Sequence, residues 1–147
     1  MDYGKAFSQY KRSSIETASK LELVIICYEH AILNLMHAKA NLENRNIEKK
    51  AINIRKTLDI INELQASLNF DKGGKIAKSL DSLYTYLTNR IIIADVQKNF
   101  SILDECIHIL SELKSAWEGI QTEKEQPASV NNSLDREIPR LSHQVAA

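Results

Sequence analysis

No proline precedes Pro127, and the whole chain of 147 residues holds two prolines and four glycines. Proline removes a backbone donor and glycine adds backbone freedom, so a stretch almost without them is free to run as long helices. Strand signals are missing as well, since no segment alternates cleanly between apolar and polar residues. Cysteine is sparse. Cys27 and Cys106 both sit in apolar helical segments and read as small buried hydrophobes of a reducing compartment, not as a disulfide framework.

Charge of one sign is absent too: nineteen Lys and Arg face nineteen Asp and Glu. Nucleic-acid binding normally leaves a basic excess, and so does attraction to an anionic membrane surface. Neither is expected as a main partner. The longest uninterrupted apolar run, Leu23 to Tyr28, is far too short to span a bilayer, and membrane insertion is not expected. The opening Met1-Asp2-Tyr3-Gly4-Lys5 lacks the basic-then-apolar pattern of a secretion signal, so a cytoplasmic protein is expected.

What the chain does hold is apolar residues at helical spacing, in four stretches between Ser19 and Ile120. The fold expected is all-α, an antiparallel up-down-up-down four-helix bundle over residues 19–120. Residues 1–18 form an N-terminal segment and residues 121–147 a flexible, polar tail. Ser19-Lys20-Leu21-Glu22 has the form of a capping box at the start of helix one. Val24, Tyr28, Ala31, Leu35, Ala38 and Leu42 then recur in steps of three and four, with Leu21, Ile25, Ile32 and Met36 as a second stripe beside them. Asn46 is the expected cap of helix two, whose stripe reads Ile47, Ala51, Ile54, Leu58, Ile61 and Leu68. Arg45, Lys49, Lys56, Asp59 and Glu63 form its solvated face.

Gly73-Gly74 is expected to close helix two, and helix three to run from Lys75 to Gln97 on Ile76, Leu80, Leu83, Leu87, Ile91 and Ala94. Tyr84, Tyr86, Ile92 and Ile93 spread around its sides. Helix four is expected to begin near Ser101 and to bury Leu103, Cys106, Leu110, Leu113, Trp117 and Ile120. Ile102 and Ile109 lie off that line.

The residues offer little for catalysis. Glu105-Cys106-Ile107-His108 is a single Glu-x-x-His, whereas a carboxylate-bridged metal pair needs two, and Glu105 points away from the seam. No metal or cofactor is expected. His30 and His37, one heptad apart, leave a histidine-phosphotransfer bundle as a weak alternative. No glycine-rich loop or nucleophile elbow is present, and no catalytic residue is assigned. A bundle helix needs one apolar stripe, so the surplus must face a partner. A groove for an amphipathic helix and a surface for homodimerisation both satisfy that pattern.

Several segments resemble the FliS family of flagellin-export chaperones. They are Thr17-Ala18-Ser19 with Glu22-Leu23, Tyr28 and Ala31-Ile32; Lys50-Ala51, Ile60-Ile61, Glu63-Leu64 and Leu68; Gly73-Gly74-Lys75-Ile76-Ala77, Leu80 and Leu83-Tyr84-Thr85-Tyr86; then Arg90-Ile91, Ala94-Asp95, Leu113 and Ala116-Trp117. The ordered set covers about residues 6 to 120. Departures from the family pattern are Lys20 where proline is frequent, His30 after Cys27-Tyr28, and Asp95 after Ala94.

The resemblance implies a chaperone without enzymatic activity that binds the disordered C-terminal segment of flagellin, prevents its premature polymerisation and delivers it to the flagellar type III export gate. A co-chaperone is a further partner it allows. On this reading the client groove is expected at Leu21, Ile25, Ile32, Tyr86, Ile92, Ile93, Ile102 and Ile109. Phe7 and Tyr10 are expected to cap it when no client is bound.

Overall fold

Residues 19–125 are described by the computed structural model, as four α-helices joined by short turns. They are α1 (Lys20–Glu43), α2 (Ile47–Ala66), α3 (Phe70–Gln97) and α4 (Phe100–Glu125). Ser19 caps α1, its hydroxyl accepting from the Glu22 amide at 3.2 Å. Each later turn ends in an asparagine that caps the next helix. Asn46 accepts from Lys49 N, Asn69 from Lys72 N and Asn99 from Ile102 N. Such a side chain satisfies an amide that the helix itself leaves unpaired.

Turns this short force consecutive helices antiparallel. α1 packs on α2 and α4, and α3 packs on the same two, so the helices form a ring with α1 and α3 diagonally opposed. This is the expected four-helix bundle. Its core joins Tyr28, Ala31, Leu35 and Ala38 of α1 to Leu80, Tyr84, Leu87 and Ile91 of α3, closed by Ile61, Leu103, Cys106 and Leu110. Fully burying a large aliphatic side chain contributes about 1.5–3 kcal/mol, so packing of this seam dominates the fold.

Three boundaries differ from the sequence expectation. α2 ends at Ala66, ahead of the two glycines. The turn Phe70–Gly73 belongs to α3, which breaks at Gly74 (φ 50°, ψ −124°) before continuing. Asn69 outcompetes the glycines because a capping amide fixes a helix start, while Gly74 supplies only the kink. α4 starts at Phe100, beside the expected Ser101 but on the Asn99 cap, and it runs past Ile120 to Glu125.

The seam of α2 is also rotated from its expected position. Lys50, Ile54, Thr57, Ile60, Ile61 and Leu64 are buried, whereas Ile47 and Ala51 are exposed. Two polar residues sit inside because each has a partner. Thr57 Oγ1 donates to Asn53 O at 3.0 Å, and the Lys50 ammonium pairs with Asp95 of α3. Tyr84, expected at the side of α3, is a core residue.

α1 is long and apolar enough to cross a membrane by length and composition, which a count of uninterrupted runs overlooks. Here its apolar line from Tyr28 to Leu42 is covered by neighbouring helices.

Candidate functional site

At the centre of the bundle, polar groups tie three helices together. The Tyr28 and Tyr84 hydroxyls lie 2.6 Å apart, linking diagonal helices α1 and α3. Trp117 of α4 donates its indole N–H to the Tyr28 oxygen at 3.1 Å. Burial pushes the Tyr28 hydroxyl up to about 12 and raises Tyr84 further, so both stay neutral. A chain of amides runs between α1 and α2: Asn41 donates to Asn53 at 2.7 Å, Asn53 donates to the Asn34 side-chain oxygen at 3.5 Å, and Asn34 donates within α1 to the His30 carbonyl at 2.9 Å. These networks order the interior and leave the outside of the helices for contact.

On that outside, α3 carries the densest apolar surface among the described residues. Tyr86, Ile92, Ile93 and Val96 are all exposed, Val96 most of all at 76%. At about 100° per residue they point away from the buried line Leu80, Leu87, Ile91 and Ala94. A hydrogen-bonded cluster borders this face on the α4 side. Glu105 accepts from the Tyr86 hydroxyl at 2.8 Å and from Arg90 Nε at 2.9 Å, and the Arg90 guanidinium sits 6.0 Å from the Tyr86 ring centroid. Those two donors hold the Glu105 carboxyl below the usual carboxylate range. Tyr86 is thereby fixed in one orientation while the residue stays 42% exposed.

A second apolar strip lies on α1, where Leu33 and Met36 are exposed, Met36 at 53%. Grooves run along both its flanks. One, of about 300 Å³, is lined by His37, Ala40, Asn41, Lys49, Ile52 and Asn53. The other, of about 330 Å³, is lined by Met36, Lys39, Ala40, Glu43, Asp104 and Ile107. Because α1 and α3 are diagonal, the two apolar surfaces face opposite sides of the bundle.

The residues expected from sequence therefore divide. Tyr86, Ile92 and Ile93 come together on the α3 surface. Leu21, Ile32 and Ile109 are half-buried and pack against the core. Ile25 and Ile102 are corrections: at 6% and 7% exposed they are buried, so neither presents surface to a partner here. Both lie within about 100° of the core line of their helix, close enough to be covered by the adjacent one. Helix four thus contributes little of the expected surplus. Phe7 and Tyr10 lie outside the described residues.

Sequence reasoning missed Leu33, Ile52 and Val96. Their signal was available, as apolar residues lying well away from the best stripe of their helix.

The candidate chemistry of the other polar groups is absorbed locally. Glu105 is held by Tyr86 and Arg90, and His108, exposed, lies 3.2 Å from Glu112. His30 is half-buried and desolvation lowers its pKa, with Glu29 opposing. His37 is exposed at the rim of the α1–α2 groove.

A sequence model of the family described as "Flagellar protein FliS" matches residues 3–124. The chain belongs to the FliS family. It is similar to flagellar secretion chaperone FliSB of Pseudomonas aeruginosa, 35% identical over 120 residues that cover 79% of this chain and 95% of the relative. The flagellar secretion chaperone FliS of Vibrio cholerae is 37% identical over 118 residues, covering 78% and 87% of the two chains. That of Salmonella typhimurium is 31% identical over 118 residues, covering 79% and 87%. The bundle above is thus a FliS-family fold, and its exposed apolar faces belong to a family of flagellar secretion chaperones.

Proposed function

We propose that this protein binds the disordered C-terminal segment of flagellin in the cytoplasm, keeps it from polymerising early, and hands it to the flagellar type III export gate. The observation that carries this reading is the exposed row Tyr86, Ile92, Ile93 and Val96 on α3. An apolar face rimmed by an ordered polar cluster is the surface an amphipathic segment requires. Coupled folding and binding buries on the order of 1,000–3,000 Å², more than one helix face supplies. The α1 strip on the opposite side offers the remainder to a client that wraps around the bundle.

The role needs no chemical step, so the protein acts by binding and not by catalysis. Delivery and release then depend on contacts with the export gate.

The test is a titration of the full chain with a peptide from the C-terminal part of the organism's own flagellin. A one-to-one complex by light scattering is expected, with Ile93→Asp and Val96→Asp abolishing it while far-UV CD and melting stay nearly unchanged. A protein that self-associates and ignores the peptide is a homodimeric module instead. Variants that bind normally place the site elsewhere.

A further inference from the structure

The two edges of α3 are built differently. On the α2 side Asp81, Thr88 and Asp95 stand seven residues apart, on one line of the helix. Asp81 accepts from Gln65 at 2.9 Å, and Gln65 also donates to Thr85 at 2.9 Å. Asp95 pairs with the Lys50 ammonium. By the antiparallel register that these two pairs set, Thr88 lies opposite Thr57, whose hydroxyl is already donated to the Asn53 carbonyl within α2. The Thr88 hydroxyl oxygen is buried and has no hydrogen-bond partner among the described residues. On the α4 side, Ile102, Glu105 and Ile109 share one face of their helix at steps of three and four. Ile102 is buried, Ile109 packs against the core, and Glu105 holds Tyr86 and Arg90 of α3.

These edges part at different cost. Separating apolar side chains returns their area to water with nothing in exchange, whereas polar groups exchange one hydrogen bond for another. A buried ion pair also regains hydration as it separates. Water entering the α2–α3 seam gives the Thr88 hydroxyl the partner it lacks. The backbone supplies joints as well. The straight part of α3, residues 75–97, is bounded by single residues at positive φ, Gly74 at 50° and Lys98 at 52°. Hinges are commonly a few element-terminal residues that absorb a change in φ and ψ.

We infer that the bundle opens along the α2–α3 seam, α3 swinging on Gly74 and Lys98 while it stays attached to α4. This is a sub-global opening, below the free energy of complete unfolding. The exposed row Tyr86, Ile92, Ile93 and Val96 travels with α3, and water reaches the interior from the α2 side. The opening is a property of the fold and does not depend on what occupies its outer faces.

The experiment alkylates buried thiols of the full chain with iodoacetamide. Thr57→Cys reports on the α2–α3 seam and Ile102→Cys on the α3–α4 seam, both positions being buried in the folded protein. Mass spectrometry of the peptides reads each site separately from Cys27 and Cys106. Thr57→Cys is expected to react at least about tenfold faster than Ile102→Cys, with a urea dependence well below that of global unfolding. Equal rates that both follow the urea dependence of global unfolding overturn the inference, and so does faster reaction at residue 102. As a second measurement, Thr88→Val is added to Thr57→Cys. It removes the orphaned hydroxyl at nearly constant volume and should slow labelling at residue 57 about five- to a hundred-fold; an unchanged rate also overturns the inference.

Discussion

Tyr28→Phe is expected to destabilise this bundle more than Tyr84→Phe, although both remove one hydroxyl from the same contact. The Tyr28 oxygen is shared: it lies 2.6 Å from Tyr84 Oη and accepts from Trp117 Nε1 at 3.1 Å. Removing it strands two groups, the Tyr84 hydroxyl and the indole N–H. Removing the Tyr84 hydroxyl leaves the indole bond intact and strands at most one hydroxyl proton. An orphaned buried polar group costs about 1–3 kcal/mol. The Trp117 side is only half-buried, so its N–H recovers some solvent and falls at the low end.

The working values are then about 2–4 kcal/mol for Tyr28→Phe and about 1–2 kcal/mol for Tyr84→Phe. The double variant removes both hydroxyls and strands only the indole, so it should cost no more than Tyr28→Phe alone. A coupling of about 1–2 kcal/mol follows from the cycle. Urea unfolding followed by far-UV CD measures all four proteins, and unchanged m-values validate the comparison. The reasoning is refuted if Tyr84→Phe costs as much as Tyr28→Phe, or if the two losses simply add.

Asp95→Ala should cost about 3–5 kcal/mol in the same assay, since it leaves the buried Lys50 ammonium without its counter-ion, whereas Lys50→Met with Asp95→Leu should be near neutral. Gly74→Ala is expected to destabilise by about 1–3 kcal/mol because the position has φ 50° and ψ −124°. Gly119→Ala, in helical α4 with nothing within 4 Å of an added Cβ, is expected to stabilise by about 1 kcal/mol. Stability should also decline in alkali. Tyr28 titrates at about 12 when folded against an ordinary 10.0, and Cys106 at about 12 against 9.0. The unfolded chain therefore loses these protons first, and stability falls as pH rises from about 9 to 12. For Tyr28 alone that loss is about 3 kcal/mol, so Tyr28→Phe should flatten the upper part of the profile.

The helices of α1, α3 and α4 were legible in the sequence because their apolar residues keep one period and partner like with like. α2 was harder. Its true seam includes Lys50 and Thr57, which an apolar pattern passes over, and the groups that make them acceptable lie on other parts of the chain or the backbone. The repeated cap was missed at Asn69 and Asn99, though Asn69-Phe70 and Asn99-Phe100 are the same dipeptide. A glycine pair, the commoner helix-end signal, follows the first, and Ser101, itself a common cap residue, follows the second.

The surface divides the same way. Tyr86, Ile92 and Ile93 are readable because they lie far from the α3 core line. Ile25 and Ile102 are not, since whether a neighbouring helix covers a flanking residue depends on how closely the helices approach. Nor does the sequence show that Glu105, the acid of an isolated Glu-x-x-His, grips Tyr86 and Arg90 from the next helix.

The composition of α1 has a consequence for synthesis. This segment leaves the ribosome before α2 and α4, the helices that cover it, and until then it has the length and greasiness of a signal anchor. Asn34 near its middle and Asn41 near its end lower that insertion tendency, yet in the finished bundle both are satisfied, Asn34 by the His30 carbonyl and Asn41 by Asn53. The same two amides therefore make the isolated helix a poorer membrane span and, in the bundle, both meet Asn53 of α2.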